Sequence, residues 1–143
     1  MTAKKLTAAQ LRRVQKAIHA VPYARLLGIQ VAEVGPGTAT LTLKVRKELK
    51  QNHGVVHGGA VASLIDTATA FAILSLVTPK EKVTTVDLTI SYLRPVTEGE
   101  LSTTAEIVRA GRRLFVVSAT VTDATGRLIA TALSTYIKIS PLD

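Results

Sequence analysis

Apolar and polar residues alternate with two different periods along this chain, so the pattern predicts both helices and strands. Residues 7–20 form the first helical segment, in which Thr7 and Gln10 have the spacing of a capping box. Its apolar face consists of Leu11, Val14 and Ile18. Pro22 is expected to break this helix, and residues 23–27 predict one further turn that Gly28 closes.

A period of two, which is typical of half-buried strands, begins after the turn at residues 35–37. In residues 38–46 the apolar positions are Ala39, Leu41, Leu43 and Val45. We expect the basic residues on the other face of this strand to be solvated and to discourage pairing at a sheet edge.

Four more strand-like runs follow Pro79 and cover residues 84–92, 101–109, 114–122 and 127–139. In the first of them, apolar residues from Val86 to Tyr92 alternate with polar residues that include Thr85. The third is rich in valine on both faces, so we expect it to lie in the middle of the sheet. The last is expected to have one apolar face, made of Ile129, Leu133, Ile137 and Ile139.

The most apolar part of the chain lies between the first strand and these four, at residues 58–77, with Asp66 as its only charge. Its length would allow a membrane span. However, a central carboxylate is costly in lipid, and two glycines shorten the confidently helical part. We therefore predict a helix buried on nearly all sides, with an antiparallel sheet curled around it, in a single α+β domain.

The net charge of +8 lies in the first third of the chain, because residues 1–50 hold ten basic and two acidic side chains. Residues 51–143 hold eight of each sign. This distribution, with three Tyr, two Phe and no Trp, does not describe a nucleic-acid coat that stacks on bases. We interpret the charge mainly as solvated surface that could also steer an anionic ligand.

The absence of cysteine excludes disulfides, thiolate metal sites and cysteine nucleophiles. Because the chain also begins without a segment of signal-peptide type, the cytoplasm is the expected location. A hydrophobic content of 47% excludes intrinsic disorder and allows a real core.

The candidate chemistry lies where the buried helix begins. Residues 51–59 read Gln-Asn-His-Gly-Val-Val-His-Gly-Gly, and Asp66 follows within the helix. A helix N-terminus presents free N–H groups and a positive dipole end, and Gly58 and Gly59 would let a ligand approach that backbone closely. Such a site can hold a carbonyl oxygen that becomes an oxyanion. A nearby carboxylate could act as a general base or as a nucleophile.

Each of these residues also has a structural interpretation. His57 could simply cap the helix, and Asp66 could bond a neighbouring backbone group or threonine. His53 and His57 have the i, i+4 spacing of a metal pair, but Gly54 and the two valines disfavour a helix there, so no metal is expected. The glycines match neither a dinucleotide-binding fingerprint nor a phosphate-binding loop.

The His-Gly-Gly sequence, with Asp66 and the long apolar helix behind it, resembles the acyl-CoA thioesterases of the hotdog fold. The most similar branch is the PaaI-like and 4-hydroxybenzoyl-CoA thioesterase branch. Residues 86–95 (VDLTISYLRP) resemble the strand after the helix in that family, and the segments around Gly111 and at 123–126 resemble its later hairpins. The resemblance covers about residues 23–139.

This resemblance implies a curved antiparallel sheet wrapped around a long central helix, preceded by an N-terminal helix. The whole chain, residues 1–143, would be one thioesterase domain with a helical segment at 1–28 and a hotdog core at 37–139. The family's site lies between two subunits. The implied assembly is therefore a homodimer or a homotetramer that acts on acyl-CoA, with no cofactor, metal, nucleic acid or membrane partner.

The resemblance also implies a role for each residue of the motif. Asp66 would attack the thioester or activate water, while the N–H of Gly58, beside Gly59, would polarise the carbonyl. Gln51 would bind that carbonyl or the water, and an offset of one residue would give this role to Asn52.

The remaining implied roles concern the pocket and the CoA group. His57 would shape the pocket beside the thioester, and Thr85 would orient the water. The cluster Arg109, Arg112 and Arg113 suits CoA phosphates, or is a solvated turn. Ala70 departs from those relatives that carry a hydroxyl one turn after the acid, so the aryl-CoA branch with that hydroxyl matches less well.

Three other functions fit less well. A non-catalytic acyl-CoA-binding regulator of the same fold carries a DNA-binding helical domain, for which the roughly 35 residues before the first clear strand are short. A hotdog dehydratase would need a His-containing hydratase signature, which is not evident. Nucleic-acid binding through the basic first helix would require salt-sensitive affinity without thioester chemistry.

Overall fold

The computed structural model describes residues 5–139. Within them, the helices are α1 (Ala8–Ala20), α2 (Pro22–Leu27) and α3 (Gly58–Leu74). The strands are β1 (Gln30–Gly35), β2 (Thr38–Lys44), β3 (Lys82–Tyr92), β4 (Glu100–Ala110), β5 (Leu114–Thr122) and β6 (Leu128–Ile139). They form one antiparallel sheet in the order β1-β2-β4-β5-β6-β3.

The sheet curls around α3, which contacts all six of these strands. Leu64, Ile65 and Ala68 are fully buried on this helix. The predicted hotdog architecture is therefore confirmed, and so is the central position of β5, which pairs with β4 and β6.

No helix among residues 5–139 is both long and apolar enough to cross a membrane.

The N-terminal helical segment forms as its sequence predicts. At the start of α1 the N–H of Gln10 donates to Thr7 Oγ1 (3.2 Å), and the N–H of Thr7 donates to Gln10 Oε1 (2.8 Å). Val14 and Ile18 form the buried face of this helix, which packs against β1 and α2. Gly28 ends α2 with φ 81°, a left-handed conformation that glycine adopts without a steric penalty.

Two basic residues of the N-terminal third bind backbone carbonyls at helix ends. Arg46 donates to the carbonyl of Leu26 (2.7 Å) and to that of the next residue at the end of α2, and Arg13 donates to the carbonyl of Val77 (2.7 Å), just after α3. A cation is favourable there because it lies at the negative end of the helix dipole.

The prediction that basic residues on β2 discourage edge pairing is wrong, because β2 lies between β1 and β4 and is not an edge strand.

The strand β1 is absent from the sequence prediction, because a bulge interrupts its alternation. Val31 pairs with Leu41 and Glu33 with Thr40, so Ala32 is an extra residue on this strand. An inserted residue breaks the period of two by which half-buried strands are recognised.

The predicted apolar face of β6 is also wrong, for the same physical reason. Across from β5, Val121 pairs with Ala130 and Thr122 with Leu128, so Ile129 is inserted. Beyond this bulge the residues facing α3 are Ala130, Ala132, Ser134 and Tyr136. Leu133 and Ile139 lie on the outer face and are 49% and 45% exposed.

Among the described residues, the hydroxyl of Thr103 is a buried side-chain group without a hydrogen-bond partner. Thr103 lies on β4 and is fully buried. We expect Thr103→Val to raise the free energy of unfolding by about 1 kcal/mol, because it removes an unpaired polar atom while keeping a similar shape. Urea titration of the two proteins would measure the change. A lower free energy of unfolding for Thr103→Val would contradict the conclusion that the Thr103 hydroxyl is unpaired.

Candidate active site

The segment before α3 is a tight turn that leads directly into the helix. The N–H of Gln51 donates to the carbonyl of Val55 (2.8 Å), and the N–H of His57 donates to that of Leu49 (2.8 Å). Gly54 has φ 79°, which a residue with a side chain rarely adopts. As the sequence predicts, residues 53–57 do not form a helix, so His53 and His57 are not a pair on one helix face. Within residues 5–139 no three potential metal-binding side chains come together.

His57 caps the N-terminus of α3. The N–H of Gly59 donates to its Nδ1 (2.8 Å), so a neutral imidazole carries its proton on Nε2. A Cβ atom at Gly59 would lie 2.9 Å from this Nδ1, so the cap requires glycine there. Within the described residues the N–H of Gly58 has no acceptor, since it belongs to the first turn of the helix. It is therefore a free donor at the positive end of α3.

An apolar cavity of about 320 Å³ lies beside this first turn. Its lining includes Val55, Gly58, Val61 and Tyr92. The hydroxyl of Tyr92 donates to the carbonyl of Gly58 (3.0 Å), and its ring lies 3.4 Å from where a Cβ atom of Gly58 would be. The free N–H of Gly58 thus belongs to a residue that lines a mainly apolar cavity.

Asp66 is half-buried on α3 and is held through one of its oxygens. Its Oδ1 accepts hydrogen bonds from the hydroxyls of Thr85 (3.0 Å) and Tyr136 (3.0 Å). Its Oδ2 receives no hydrogen bond from any residue that the structure describes. Burial raises the pKa of Tyr136 to about 12, so this hydroxyl stays protonated at neutral pH. The site contains a carboxylate with one oxygen fixed and the other free.

A bulge in β3 brings Thr85 to Asp66. Thr85 pairs with Tyr136 and Asp87 with Thr135, so Val86 is an extra residue and is 56% exposed. Strict alternation would have placed Thr85 on the face opposite Leu88. Because of the bulge, the Thr85 hydroxyl instead points to the same side as Leu88, where α3 lies.

Sequence reasoning missed Tyr136 because it assigned the outer face of β6 to the core. Its hydroxyl also contacts the carbonyl of Asp66 (2.9 Å) and the hydroxyl of Thr69 (2.8 Å). The local sequence carried no signal for it, because the alternate positions before it hold Ala130, Ala132 and Ser134, which are less apolar than the residues of the outer face.

Gly58 and Asp66 of one chain lie too far apart to act on the same carbonyl group. They are separated by eight residues of continuous helix, which corresponds to about 12 Å along the axis. Gln51 lies at the Gly58 end, where its Oε1 accepts from the N–H of His53 (2.6 Å) and its amide NH₂ remains a possible donor. Asn52, beside it, is exposed.

The predicted arginine cluster lies at the hairpin between β4 and β5. Arg109, Arg112 and Arg113 are all exposed. Strand pairing places Ala110 in one row with Phe115, Tyr136 and Thr85 across four neighbouring strands. Three strand spacings correspond to about 14 Å, so the cluster lies on the same level of the sheet as Asp66 but at a distance from it.

Comparison with known proteins identifies the family of this chain. The family model of the thioesterase superfamily matches residues 53–130. Acyl-coenzyme A thioesterase 13 from Homo sapiens is 36% identical over 124 residues, which cover 84% of this chain and 88% of that protein.

Solved structures show the same architecture. A thioesterase family protein from Silicibacter pomeroyi superposes with a TM-score of 0.84 at 30% identity, covering 91% of this chain and 98% of the other. The E. coli PaaI protein from the phenylacetic acid degradation operon has a TM-score of 0.84 at 24% identity, covering 93% and 96%, which shows the fold alone. The chain therefore belongs to the thioesterase superfamily and is a thioester hydrolase of the hotdog fold.

Proposed function

We propose that this chain is an acyl-CoA thioesterase whose active site is built from two copies of the chain. The observation that supports this most is the 12 Å helical separation between the free N–H of Gly58 and the oriented carboxylate of Asp66, about two helical turns. If two α3 helices pack antiparallel, Asp66 of one subunit faces Gly58 of the other. Each dimer then has two identical sites.

Two surfaces of the chain favour such a dimer. β3 is the last strand of the sheet, so one edge of its 11 residues has no partner strand within residues 5–139. Exposed strand edges of this length readily pair with another chain. The half-buried face of α3 beside it carries small side chains, which allow a second helix to approach: Ala62, Ser63, Thr67 and Ala70. The association of two such dimers into a tetramer stays a prediction.

In the proposed reaction, the thioester carbonyl oxygen accepts a hydrogen bond from the N–H of Gly58. The positive end of α3 stabilises the negative charge that develops on this oxygen. The free amide NH₂ of Gln51 donates to the same oxygen or to the water. His57 contributes by capping the helix and so fixing the direction of the Gly58 N–H.

Asp66 acts on the other side of the carbonyl carbon through its free Oδ2. It either removes a proton from the attacking water or attacks the carbon itself. In both routes the C–S bond breaks and the thiolate of CoA takes up a proton that water supplies. In the first route the hydroxide formed from water becomes the second oxygen of the carboxylic acid. In the second route the acyl group is first joined to Asp66 as a mixed anhydride, which water then hydrolyses to release the acid and restore the carboxylate. These steps use groups of the protein and water alone. The Thr85 hydroxyl keeps Oδ1 in place, so its proposed effect on the water acts through Asp66.

A hydrolysis screen tests this function directly. The protein is incubated with aryl, short, medium and long acyl-CoA thioesters, and free thiol is measured. We expect turnover of at least one class well above the rate without enzyme. Binding of acyl-CoA without release of thiol across the whole panel would favour the regulator alternative instead.

The arginine cluster gives a separate prediction, because it is proposed to bind the phosphates of CoA. We expect Arg112→Ala/Arg113→Ala to raise KM for acyl-CoA by about tenfold, with kcat little changed, since charged hydrogen bonds to phosphate are lost. The matched control is the same acyl group on pantetheine, which lacks these phosphates and should show no change in KM. Equal effects on both substrates, or kcat/KM for acyl-CoA independent of salt, would contradict this role.

A further inference from the structure

The last strand of the sheet brings a buried hydroxyl group to the proposed catalytic carboxylate. Tyr136 on β6 is 2% exposed. Its oxygen lies 3.0 Å from Asp66 Oδ1, 2.9 Å from the carbonyl oxygen of Asp66 and 2.8 Å from Thr69 Oγ1. Tyr136 therefore contacts both the side chain and the backbone of Asp66.

We propose that Tyr136 is a positioning residue for thioester hydrolysis, whose hydroxyl, held by Thr69, fixes Asp66 Oδ1 so that Oδ2 faces the substrate. This inference rests on the proposed role of Asp66. Tyr136 itself acts through the carboxylate, because Oδ1 and the backbone of α3 lie between its hydroxyl and the free oxygen.

The hydrogen-bonding capacities of the three residues support this arrangement. The tyrosine hydroxyl has one proton to donate, and the carboxylate is the stronger acceptor of those within reach. Either hydroxyl could donate in the 2.8 Å contact between Thr69 and Tyr136, so when the tyrosine proton points at Oδ1, the Thr69 hydroxyl donates to the tyrosine oxygen and holds it close to α3. Without the tyrosine oxygen, the same Thr69 proton has the carbonyls of Ile65 (3.1 Å) and Asp66 (3.0 Å) as acceptors.

The second donor to Oδ1 approaches from a different strand. Thr85 lies on β3 and is exposed, whereas Tyr136 is buried on β6. The final torsion of an aspartate side chain is broad, so a single hydrogen bond leaves the carboxylate free to rotate about it. Two donors from neighbouring strands restrict that rotation. The raised pKa of Tyr136, about 12, keeps its proton in place throughout the pH range of thioester hydrolysis.

Tyr136→Phe separates this role from a purely structural one. The ring that fills the core is retained, and Thr69 keeps its two carbonyl acceptors, so no buried donor loses all its partners. We expect kcat to fall about tenfold, as for the loss of one hydrogen bond to a charged group, with KM within a factor of about two.

Ser134→Ala is the matched control. Ser134 lies on the same face of β6, two residues from Tyr136, and is fully buried, but its hydroxyl donates to the carbonyl of Asp87 (2.9 Å). Ser134→Ala should leave kcat and KM unchanged. Thr69→Val removes the hydroxyl that holds the tyrosine oxygen, so it should also lower kcat. It serves as the second variant if Tyr136→Phe fails to fold.

The background of Asp66→Asn distinguishes failure of this inference from failure of the proposed function. If Tyr136 acts through Asp66, adding Tyr136→Phe to Asp66→Asn should lower the residual rate no further. A wild-type kcat in Tyr136→Phe, with Asp66→Asn inactive, would overturn the positioning role alone. Equal losses in Tyr136→Phe and Ser134→Ala would overturn it too. An active Asp66→Asn would instead remove the proposed function on which it rests.

Discussion

Replacing Asp66 by asparagine is expected to lower kcat for acyl-CoA hydrolysis by about 1000-fold while the protein remains folded. The amide keeps the size of the carboxylate, and its Oδ1 still accepts from Thr85 and Tyr136. However, the group at the free position can no longer take a proton or attack the carbonyl carbon. The rate would be measured by thiol release with the best substrate of the acyl-CoA panel, and folding by circular dichroism and melting temperature.

Asp87→Asn is the matched control for this experiment. Asp87 lies on β3, close to Thr85 in sequence, but its side chain is exposed and faces away from α3. The same change of charge at this position should leave kcat nearly unchanged. Near wild-type hydrolysis by Asp66→Asn across the whole panel would refute the assignment of Asp66.

Combining two impaired variants in one dimer is expected to restore part of the activity, because the proposed site contains Asp66 of one subunit and Gly58 of the other. Gly58→Ala supplies the second variant. Its Cβ atom would lie 3.4 Å from the Tyr92 ring, an ordinary contact, so the fold should tolerate it. Its methyl group would hinder the approach of the carbonyl to the N–H, and we expect a loss of at least tenfold in kcat.

The outcome follows from the symmetry of the dimer. A hybrid of Asp66→Asn and Gly58→Ala subunits has one site with both defects and one site with neither. Co-expression of the two at equal levels should therefore restore about a quarter of the wild-type rate, since half of the dimers are hybrids and each has one intact site. If Asp66 and Gly58 acted within one subunit, every site would carry a defect and the mixture would show only the average of its parents.

Much of the fold could be predicted from local patterns. The capping box of Thr7 and Gln10 depends on residues three positions apart, and the alternation at residues 38–46 and in the first part of 101–109, before the bulge at Val108, depends on neighbours two positions apart. The position of β5 followed from valines on both of its faces. The long helix followed from an apolar run, although it ends at Leu74 and not at residue 77, because Ser75 caps it and Leu76 is exposed.

The errors occurred where pairing with another strand decides the result. Ala32, Val86 and Ile129 are inserted residues, and each is defined by the register with a neighbouring strand. Nothing in the local sequence marks such a position, since valine and isoleucine are common in regular strands and alanine also occurs in them. One inserted residue moves every later residue of the strand to the opposite face of the sheet. This is why the inner face of β6 was assigned incorrectly.

The sequence by itself determined the elements whose cause is local: the capped helices, the alternating strands, and the His-Gly-Gly turn that opens an apolar helix with one acid. Its motifs were also enough to indicate the family. Only the tertiary structure decided what surrounds that acid. Bulges in β3 and β6 turn Thr85 and Tyr136 toward Asp66, and continuous helix holds Gly58 about 12 Å away from it. Strand register depends on pairing between segments that are distant in sequence, and helix length fixes the distance between groups at its two ends. Together they determine which groups meet within one chain and which could meet only across two chains.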